Sequence, residues 1–524
     1  MNKQTKPINM KIHVRLLSAY FLIVFLANNG VQAQTANPKN LKTLIVFFDG
    51  LREDYITQEN MPNLYALKQS GTYGLQHHSV FPTMTRVNSA SYATGSYPSG
   101  HGLMGNSVYF PEVDKSKGFN SGDANDLMHI SENITGQLLT SISLGEVVME
   151  AGSKLMVFSS GSTGQSYLQN HKISRGAIIN PDLILPKSIE ADILQSIGVP
   201  PVASKPNEGR QKWITEAFLK YGLAQDGPLV SAIWYSDPDG TAHSKGIGSA
   251  PAMEAISIVD KEFGRVLKAI AAKGLTNSYN IIVSTDHGFV TNIGKKGVSE
   301  LLVEKGLKAA DDSDDVLVVG TAIYVKDQDK NKIKKIVETL QAEDWIGALF
   351  TAGKEAGDYN GWVAGTLSYE TIHWNHKDRT SDILYAVNWN DDVNKHGYAG
   401  SSFAKGVAGH GGSSEHEIHI PFILSGPSFK KGFQSDIPTS NVDIMPTILH
   451  AQGLVIPKSV QGRVLEETFV GNPDKIANSK KKIIETSVDL DWGKYQLKLT
   501  QSYYNDHIYF DYTKVARKLK TVSK

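Results

Sequence analysis

The sequence predicts an α/β fold: a three-layer sandwich whose mostly parallel central sheet is covered by helices on both faces, with an inserted cap. Three observations predict it. Near-continuous apolar runs of strand length recur along the chain, amphipathic helical stretches separate them, and three aspartates stand just beyond strand ends. Apolar strands alternating with helices bury both faces of a sheet, which is the pattern of parallel pairing. With 40% hydrophobic and 20% charged residues the composition is that of a globular protein. A length of 524 residues suits either one large α/β domain with insertions or two to four smaller units.

The elements follow in chain order. Residues 1–33 combine a basic start (Lys3, Lys6, Lys11, Arg15) with an apolar stretch from Leu16 to Ala27, and end in Val31-Gln32-Ala33, a small-x-small pattern. The apolar stretch is shorter than the ~20 residues that span a bilayer as a helix. This reads as a cleavable secretory signal, giving a secreted, periplasmic protein with no stable membrane anchor after cleavage. The whole chain has 53 basic and 53 acidic side chains, so loss of four basic residues leaves a mildly acidic mature protein. No basic footprint for a nucleic-acid polymer remains. Cysteine is absent, which removes disulfides, thiolate metal sites and cysteine nucleophiles.

Thr43–Phe48, Leu155–Phe158, Leu229–Tyr235 and Ile281–Ser284 read as buried strands, and Ile383–Val387 and Pro421–Leu424 as later ones. Helical patterns cover Arg210–Tyr221 and Ala250–Ala272, the latter with apolar residues at Ile256, Val259, Phe263, Val266, Leu267 and Ile270. A Lys/Asp-rich interruption holds a strand-like run, Val316–Val325, and a helix, Asp329–Gln341. The expected organisation is a core from residues 41–290 and 377–470, an inserted cap at 291–376, and a C-terminal extension at 471–524.

Asp49 follows one strand, Asp239 lies just past another and Asp286 ends a third. In an open parallel sheet the carboxyl ends of the strands form one crevice, so these carboxylates would meet there. Histidines accompany two of them. His243 lies four residues after Asp239, within reach of one ion across a tight turn, and His287 adjoins Asp286, able to reach two metals or clamp one. His410 sits among glycines that allow close backbone approach. Thr85 opens a helix, Thr85 to Thr94, that Gly95 ends. There its hydroxyl would lie in the positive end of the helix dipole, and a nearby metal would decide for chemistry over an ordinary N-cap.

FFDG around Asp49, FPTMTRVN around Thr85, DPDGTAH, STDHG and AGHGG, in this order, resemble the alkaline phosphatase superfamily, in particular its nucleotide pyrophosphatase/phosphodiesterase branch. The resemblance implies an alkaline-phosphatase-like fold and two zinc ions per chain. One would be held by Asp239, His243 and His410, the other by Asp49, Thr85, Asp286 and His287. It implies Thr85 as nucleophile and Asn106 as the contact to a non-bridging phosphoryl oxygen. The T-x-x-N spacing to Asn88 favours Thr85 over Thr83, and the four-residue gap to His243 favours Asp239 over Asp237. NVDIMPTIL (Asn441–Leu449) and the later GRVLEE are also similar to family core elements.

The implied reaction is hydrolysis of a phosphodiester or pyrophosphate bond in a small phosphate-ester substrate, through a phospho-threonine. Two zinc ions bring four positive charges; three ligand carboxylates and a Thr85 alkoxide bring four negative ones. Threonine-type alkaline phosphomonoesterases and phosphonoacetate hydrolases are the alternatives. The former carry a Lys-x-Arg pair, which Lys172 and Arg175 match imperfectly because Ile173 stands where the Lys is expected. That mismatch favours the diester. The cysteine count excludes cysteine-derived sulfatases. A non-enzymatic surface-binding protein would use Trp362, Trp374 and Trp389, and pocket walls could come from Tyr109, Phe110, Phe158 and Tyr235.

Overall fold

The computed structural model describes Met1 and residues 41–474 and 478–520, so the secretory-signal reading of residues 1–33 lies outside the described residues. From Leu41 onward the chain forms one compact unit around a nine-stranded sheet. Five neighbouring strands run parallel, in the order Tyr279–Ser284, Lys42–Phe48, Val230–Tyr235, Leu155–Ser159, Ala177–Asn180. Ile423–Ser425 and Leu183–Leu185 flank them antiparallel. The strand Lys42–Phe48 lies mid-sheet because almost nothing in KTLIVFF needs water. Alternate residues feed opposite faces: Leu44, Val46 and Phe48 enter one core, Ile45 and Phe47 the other.

The helix Ala250–Ala272 covers the first face with Ile256, Val259, Phe263, Val266 and Ile270, the stripe expected from its 3.6-residue periodicity. Beside it lies Glu208–Ala217, which continues into a π turn at Phe218–Gly222. The helices Leu144–Glu150 and Ile444–Ala451 cover the second face, and Tyr92 and Ala93 of Thr85–Thr94 join that core. The result is the three-layer arrangement expected from the alternation of strands and helices. Phe158 and Tyr235 are fully buried in the first core and wall no pocket.

A separate five-stranded sheet takes its strands from residues 316–387. The run Val316–Val325 is a hairpin and not one strand: Val316–Val319 turns at Gly320, with φ 62°, into Ala322–Val325. Ile383–Val387, expected in the core sheet, lies here between Ala322–Val325 and Ile346–Thr351, so this sheet runs past residue 376. An apolar run states that a strand is buried but not which sheet buries it. The strands Lys480–Leu490, Gly493–Tyr504 and His507–Leu519 form an antiparallel sheet whose Tyr495, Leu497, Leu499 and Phe510 share the core of the five-stranded sheet. Trp374 and Trp389 are buried, donating to the carbonyls of Met104 and Thr513, and Trp362 packs on the same core. These indoles are core residues and form no binding face.

One buried network ties the last segments together. Arg463 makes a two-pronged contact with Glu467 at 2.8 and 2.7 Å, with side chains 7% and 0% exposed. Its Nε donates to the Tyr509 hydroxyl, which in turn donates to Asp443. Removing one partner of a buried pair leaves an uncompensated charge, which costs far more than the intact pair contributes. Glu467→Ala is therefore expected to destabilise the fold by about 3–5 kcal/mol. Urea titrations of the two proteins, showing a lower midpoint with an unchanged slope, would check it.

Candidate active site

The parallel strands deliver the three aspartates to one edge of the central sheet. Asp49 follows Lys42–Phe48, Asp286 lies two residues past Tyr279–Ser284, and Asp239 comes after Val230–Tyr235. Asp239 is the first residue of a helix, Asp239–Lys245, so His243 stands one helical turn away on the same face. The expected tight turn is thus a helix, which serves the pairing better because i and i+4 side chains are stacked neighbours.

Thr85 is the first residue of the helix Thr85–Thr94, closed at Gly95 with φ 61°, as its sequence indicates. Met84 is the N-cap residue and caps nothing with its side chain, while the Thr85 hydroxyl lies 3.2 Å from His287 Nε2. The competing threonine is otherwise engaged: Thr83 Oγ1 donates to the Gly412 carbonyl and accepts from Gly411 N. Asp237 is engaged in the same sense. Its Oδ1 accepts from Thr241 N and Oγ1, and its Oδ2 from Asn207 N and Gln211.

The three histidines share one orientation. His243 Nδ1 faces the Ala408 carbonyl at 3.0 Å, His287 Nδ1 that of Gly288 at 2.9 Å, and His410 Nδ1 that of Thr83 at 2.7 Å. A carbonyl accepts only, so each Nδ1 carries a proton and each Nε2 is the nitrogen turned into the site. Those Nε2 atoms meet carboxylates. His243 and His410 Nε2 lie 3.1 and 3.4 Å from Asp239 Oδ1, and His287 Nε2 lies 3.0 Å from Asp286 Oδ2 and 3.7 Å from Asp49 Oδ1. The same three oxygens are buried and receive no hydrogen bond. The imidazoles and carboxylates converge as a donor set for a cation, buried around Asp49, Asp286 and His287 and open to solvent at His243, which is 42% exposed. Asp239, His243 and His410 form one candidate metal group; Asp49, Asp239 and His287 form a second.

The electrostatics agree. Burial, reinforced by the carboxylates of Asp286 and Asp239, pushes Asp49 well above the usual carboxylate range. Burial also opposes charge on Asp239 and Asp286, yet His243 and His287 respectively hold them below that range. His410, buried and stacked on His287 with ring centroids 3.4 Å apart, falls to about 3 and stays neutral. Burial opposes charge on His243 and His287 too, but the carboxylates of Asp239 and Asp286 respectively raise them above the usual imidazole range, so a divalent cation bound here would take the place of a proton on each Nε2.

Other residues hold this arrangement. Asp49 Oδ2 accepts from the Trp234 indole at 2.9 Å, and Asp286 Oδ1 from Gly50 N at 3.0 Å. Asn88 Oδ1 accepts from Val80 N and from Asn441, while its Nδ2 donates to the Val80 and Met84 carbonyls, which fixes the segment before Thr85. Asn106 Oδ1 accepts from Arg86 N at 3.1 Å, which orients its amide beside Thr85. Arg86 was not singled out from the sequence. Its guanidinium, with a buried Nε that has no hydrogen-bond partner, feels the charges of Asp49, Asp239 and Asp286. Trp234 was also missed, because a tryptophan inside an apolar strand carries no sign that its N–H serves a carboxylate.

Lys172 and Arg175 are not brought to the site. They precede the strand Ala177–Asn180, and Arg175 lines a cleft with Lys154, which precedes Leu155–Ser159. Both lie at the amino end of a strand in the parallel set, whereas Asp49, Asp239 and Asp286 stand past the carboxyl ends of other strands in it. The resemblance to a phosphate-gripping pair is thus local, and the mismatch at Ile173 says nothing about the substrate. Phe110 is a buried core residue, whereas Tyr109 lines a cleft with Tyr324, their ring centroids 4.6 Å apart.

The parallel α/β sheet thus gathers a threonine, three aspartates and three histidines at its carboxyl edge, side chains of the kind that hydrolase sites use. Residues 43–407 match the model of the type I phosphodiesterase/nucleotide pyrophosphatase family, and the chain belongs to that family. It is a hydrolase of the phosphodiesterase/pyrophosphatase type. A bovine bis(5'-adenosyl)-triphosphatase, ENPP4, is 24% identical over 81% of this chain and 81% of its own length. Murine ectonucleotide pyrophosphatase/phosphodiesterase family member 1 is 22% identical over 79% of this chain and 41% of its own. Among solved structures, murine ENPP5 superposes with a TM-score of 0.57 at 20% identity, over 79% of this chain and 96% of that one, which shows the shared fold.

The two threonines can be separated experimentally. Thr83→Val removes two hydrogen bonds around the His410 loop and is expected to cost about 1–3 kcal/mol of stability while turnover survives. Thr85→Val, which leaves those bonds intact, is expected to lose turnover with stability nearly unchanged. Parallel melting curves and initial rates on a nitrophenyl diester would check the pair.

Proposed function

We propose that this protein hydrolyses a phosphodiester or pyrophosphate bond in a small phosphate-ester substrate through a covalent phospho-threonine on Thr85, assisted by two zinc ions. The observation that carries this reading is the Thr85 hydroxyl, 3.2 Å from His287 Nε2, beside three buried carboxylate oxygens that lack donors. Asp239, His243 and His410 would hold one ion; Asp49, Asp286 and His287, with Thr85, would hold the other. When bound, the ions lower the pKa of the hydroxyl and offset charge on the attacking and leaving oxygens.

The protein's own residues supply the rest. Thr85 sits at the positive end of a helix, which favours its ionised form. Its oxygen bonds to phosphorus as the bond to the leaving oxygen breaks. Water then attacks the phospho-threonine, the Thr85–phosphorus bond breaks, and the hydroxyl is restored with release of phosphate or a phosphate monoester. The Asn106 amide, oriented by Arg86 N, is placed to donate to a non-bridging oxygen. Arg86 provides the positive charge that Lys172 and Arg175, at the far edge, cannot.

A cleft of about 250 Å³ opens beside His410, walled by Met84, Val290, Trp345, Tyr385 and Val387, with Lys296 and Lys405 also lining it. Trp345, Tyr385 and Val387 come from the five-stranded sheet, which supports a cap role for residues 291–376 and the strand that follows them. Apolar walls with two ammonium groups suit a leaving group that carries both a ring and negative charge. The names of relatives favour the same class: bis(5'-adenosyl)-triphosphatase for the bovine protein, and an AMP complex of an inactive threonine-to-alanine form of murine ENPP5. We also infer export through residues 1–33; among the described residues no helix is long and apolar enough to cross a membrane.

Chelator treatment is expected to abolish turnover and zinc to restore it. Denaturing mass spectrometry of acid-quenched enzyme should show a phosphoryl adduct on Thr85 that Thr85→Ala lacks. Hydrolysis of a nitrophenyl diester at least tenfold faster than the monoester would support the substrate assignment. The reverse preference would refute it.

A further inference from the structure

A second set of ligand-type side chains lies outside the catalytic centre. His78 Nε2 lies 2.9 Å and His419 Nε2 3.1 Å from a single oxygen, Oδ1 of Asp511. The three come from separate parts of the chain: the short strand His77–His78, the residue after the helix Glu415–Ile418, and the strand His507–Leu519 of the C-terminal sheet. His78 and Asp511 are each 1% exposed, whereas His419 is 32% exposed and opens the cluster to solvent. The two rings meet edge to face, 5.1 Å apart at 82°.

The local arrangement repeats that of the catalytic histidines. His78 Nδ1 faces the Thr439 carbonyl at 2.8 Å, so that nitrogen carries a proton and Nε2 is the one turned to Asp511. Asp511 Oδ2 is occupied by the Ser502 hydroxyl at 2.8 Å, which aims Oδ1 at the two imidazoles. A ring N–H on a backbone carbonyl and a carboxylate oriented from behind are the outer contacts that metal-ligating residues show. The three ligand atoms lie within 4.8 Å of one another, as do those of the two catalytic groups.

We propose that His78, His419 and Asp511 form a zinc site, separate from the catalytic centre, that staples the C-terminal sheet to the core. Two imidazoles and one carboxylate form a donor set suited to Zn²⁺, with a fourth position open on the His419 side for water. The staple would join residues separated by up to 433 positions, constraining long loops of the unfolded chain. Lys481, whose ammonium lies 3.7 Å from Asp511 Oδ1, is 55% exposed and free to swing into solvent when the ion binds.

The test is metal counting on the full chain. Gel-filtered wild-type protein measured by inductively coupled plasma mass spectrometry should hold about one zinc more per chain than His419→Ala, whose exposed site tolerates the change. Asp511→Asn should match His419→Ala, while Lys481→Met should keep the extra zinc and resist chelation longer. In an Asp239→Ala, Asp286→Ala background, zinc chloride added to chelator-stripped protein should still raise the Tm, and adding His419→Ala should remove that rise. Equal zinc content in wild type and His419→Ala, or faster zinc loss in Lys481→Met, would overturn the site and leave the cluster as a buried ion pair. Neither result bears on Thr85 or the catalytic reaction.

Discussion

Three carboxylates, two of them buried and the third 17% exposed, are forced together at one edge of the central sheet, and much of the molecule is arranged around that repulsion. Asp49 and Asp286 follow adjacent parallel strands, so their separation is set by the sheet and cannot relax. Asp239 reaches the same point because its amide is bonded to the Asp49 carbonyl. Like charges held close in a low-dielectric medium repel strongly, and protonation of one relieves the strain only by removing a ligand. Asp49 is the member driven toward protonation, by burial and by the other two. A divalent cation would relieve the same repulsion while keeping all three ionised, and on the proposed reading its binding would be coupled to the integrity of this edge of the sheet.

The histidines carry that logic outward. Each is fixed by a bond from Nδ1 to a backbone carbonyl, and two of those carbonyls belong to segments that also build the site. His410 leans on Thr83, two residues before Thr85, and Thr83 returns two bonds to Gly411 and Gly412. The Thr85 segment and the late histidine loop are therefore tied together. Asn88 and Asn441 brace the same segment from beneath, linking it to the carbonyl of Thr285 beside Asp286. This explains why motifs far apart in sequence share so many small and polar residues: the positions between ligands are occupied in holding ligands.

Much of this was legible in the sequence, for a physical reason. Ligand chemistry demands particular side chains at particular spacings, so Asp239 and His243, Asp286 and His287, and Thr85 with its helix could be read directly. The helix Ala250–Ala272 was legible because one face of it must be apolar. What escaped depends on tertiary placement. Ile383–Val387 reads as a core strand, yet its partners decide its sheet. Lys172 and Arg175 resemble a phosphate grip, but they stand at the amino end of a parallel strand, whereas the three aspartates stand past the carboxyl ends of others in the same sheet. Trp234 and Arg86 act through an N–H and a charge that their local sequence does not advertise.

The C-terminal sheet shows how far such placement reaches. It falls beyond the residues that match the family, yet its core is continuous with that of the five-stranded sheet. Thr513 on its last strand bonds Ser413 through both backbone and hydroxyl, three residues from His410. Tyr509 bonds Asp443 and Arg463, and Asp443 belongs to the turn that positions Asn441. The sheet thus supports the histidine loop from one side and the asparagine brace from the other. Loosening it would change how firmly His410 and Thr85 are held without touching either. The His78, His419 and Asp511 cluster lies at this junction, where one additional bond to the sheet constrains both supports at once.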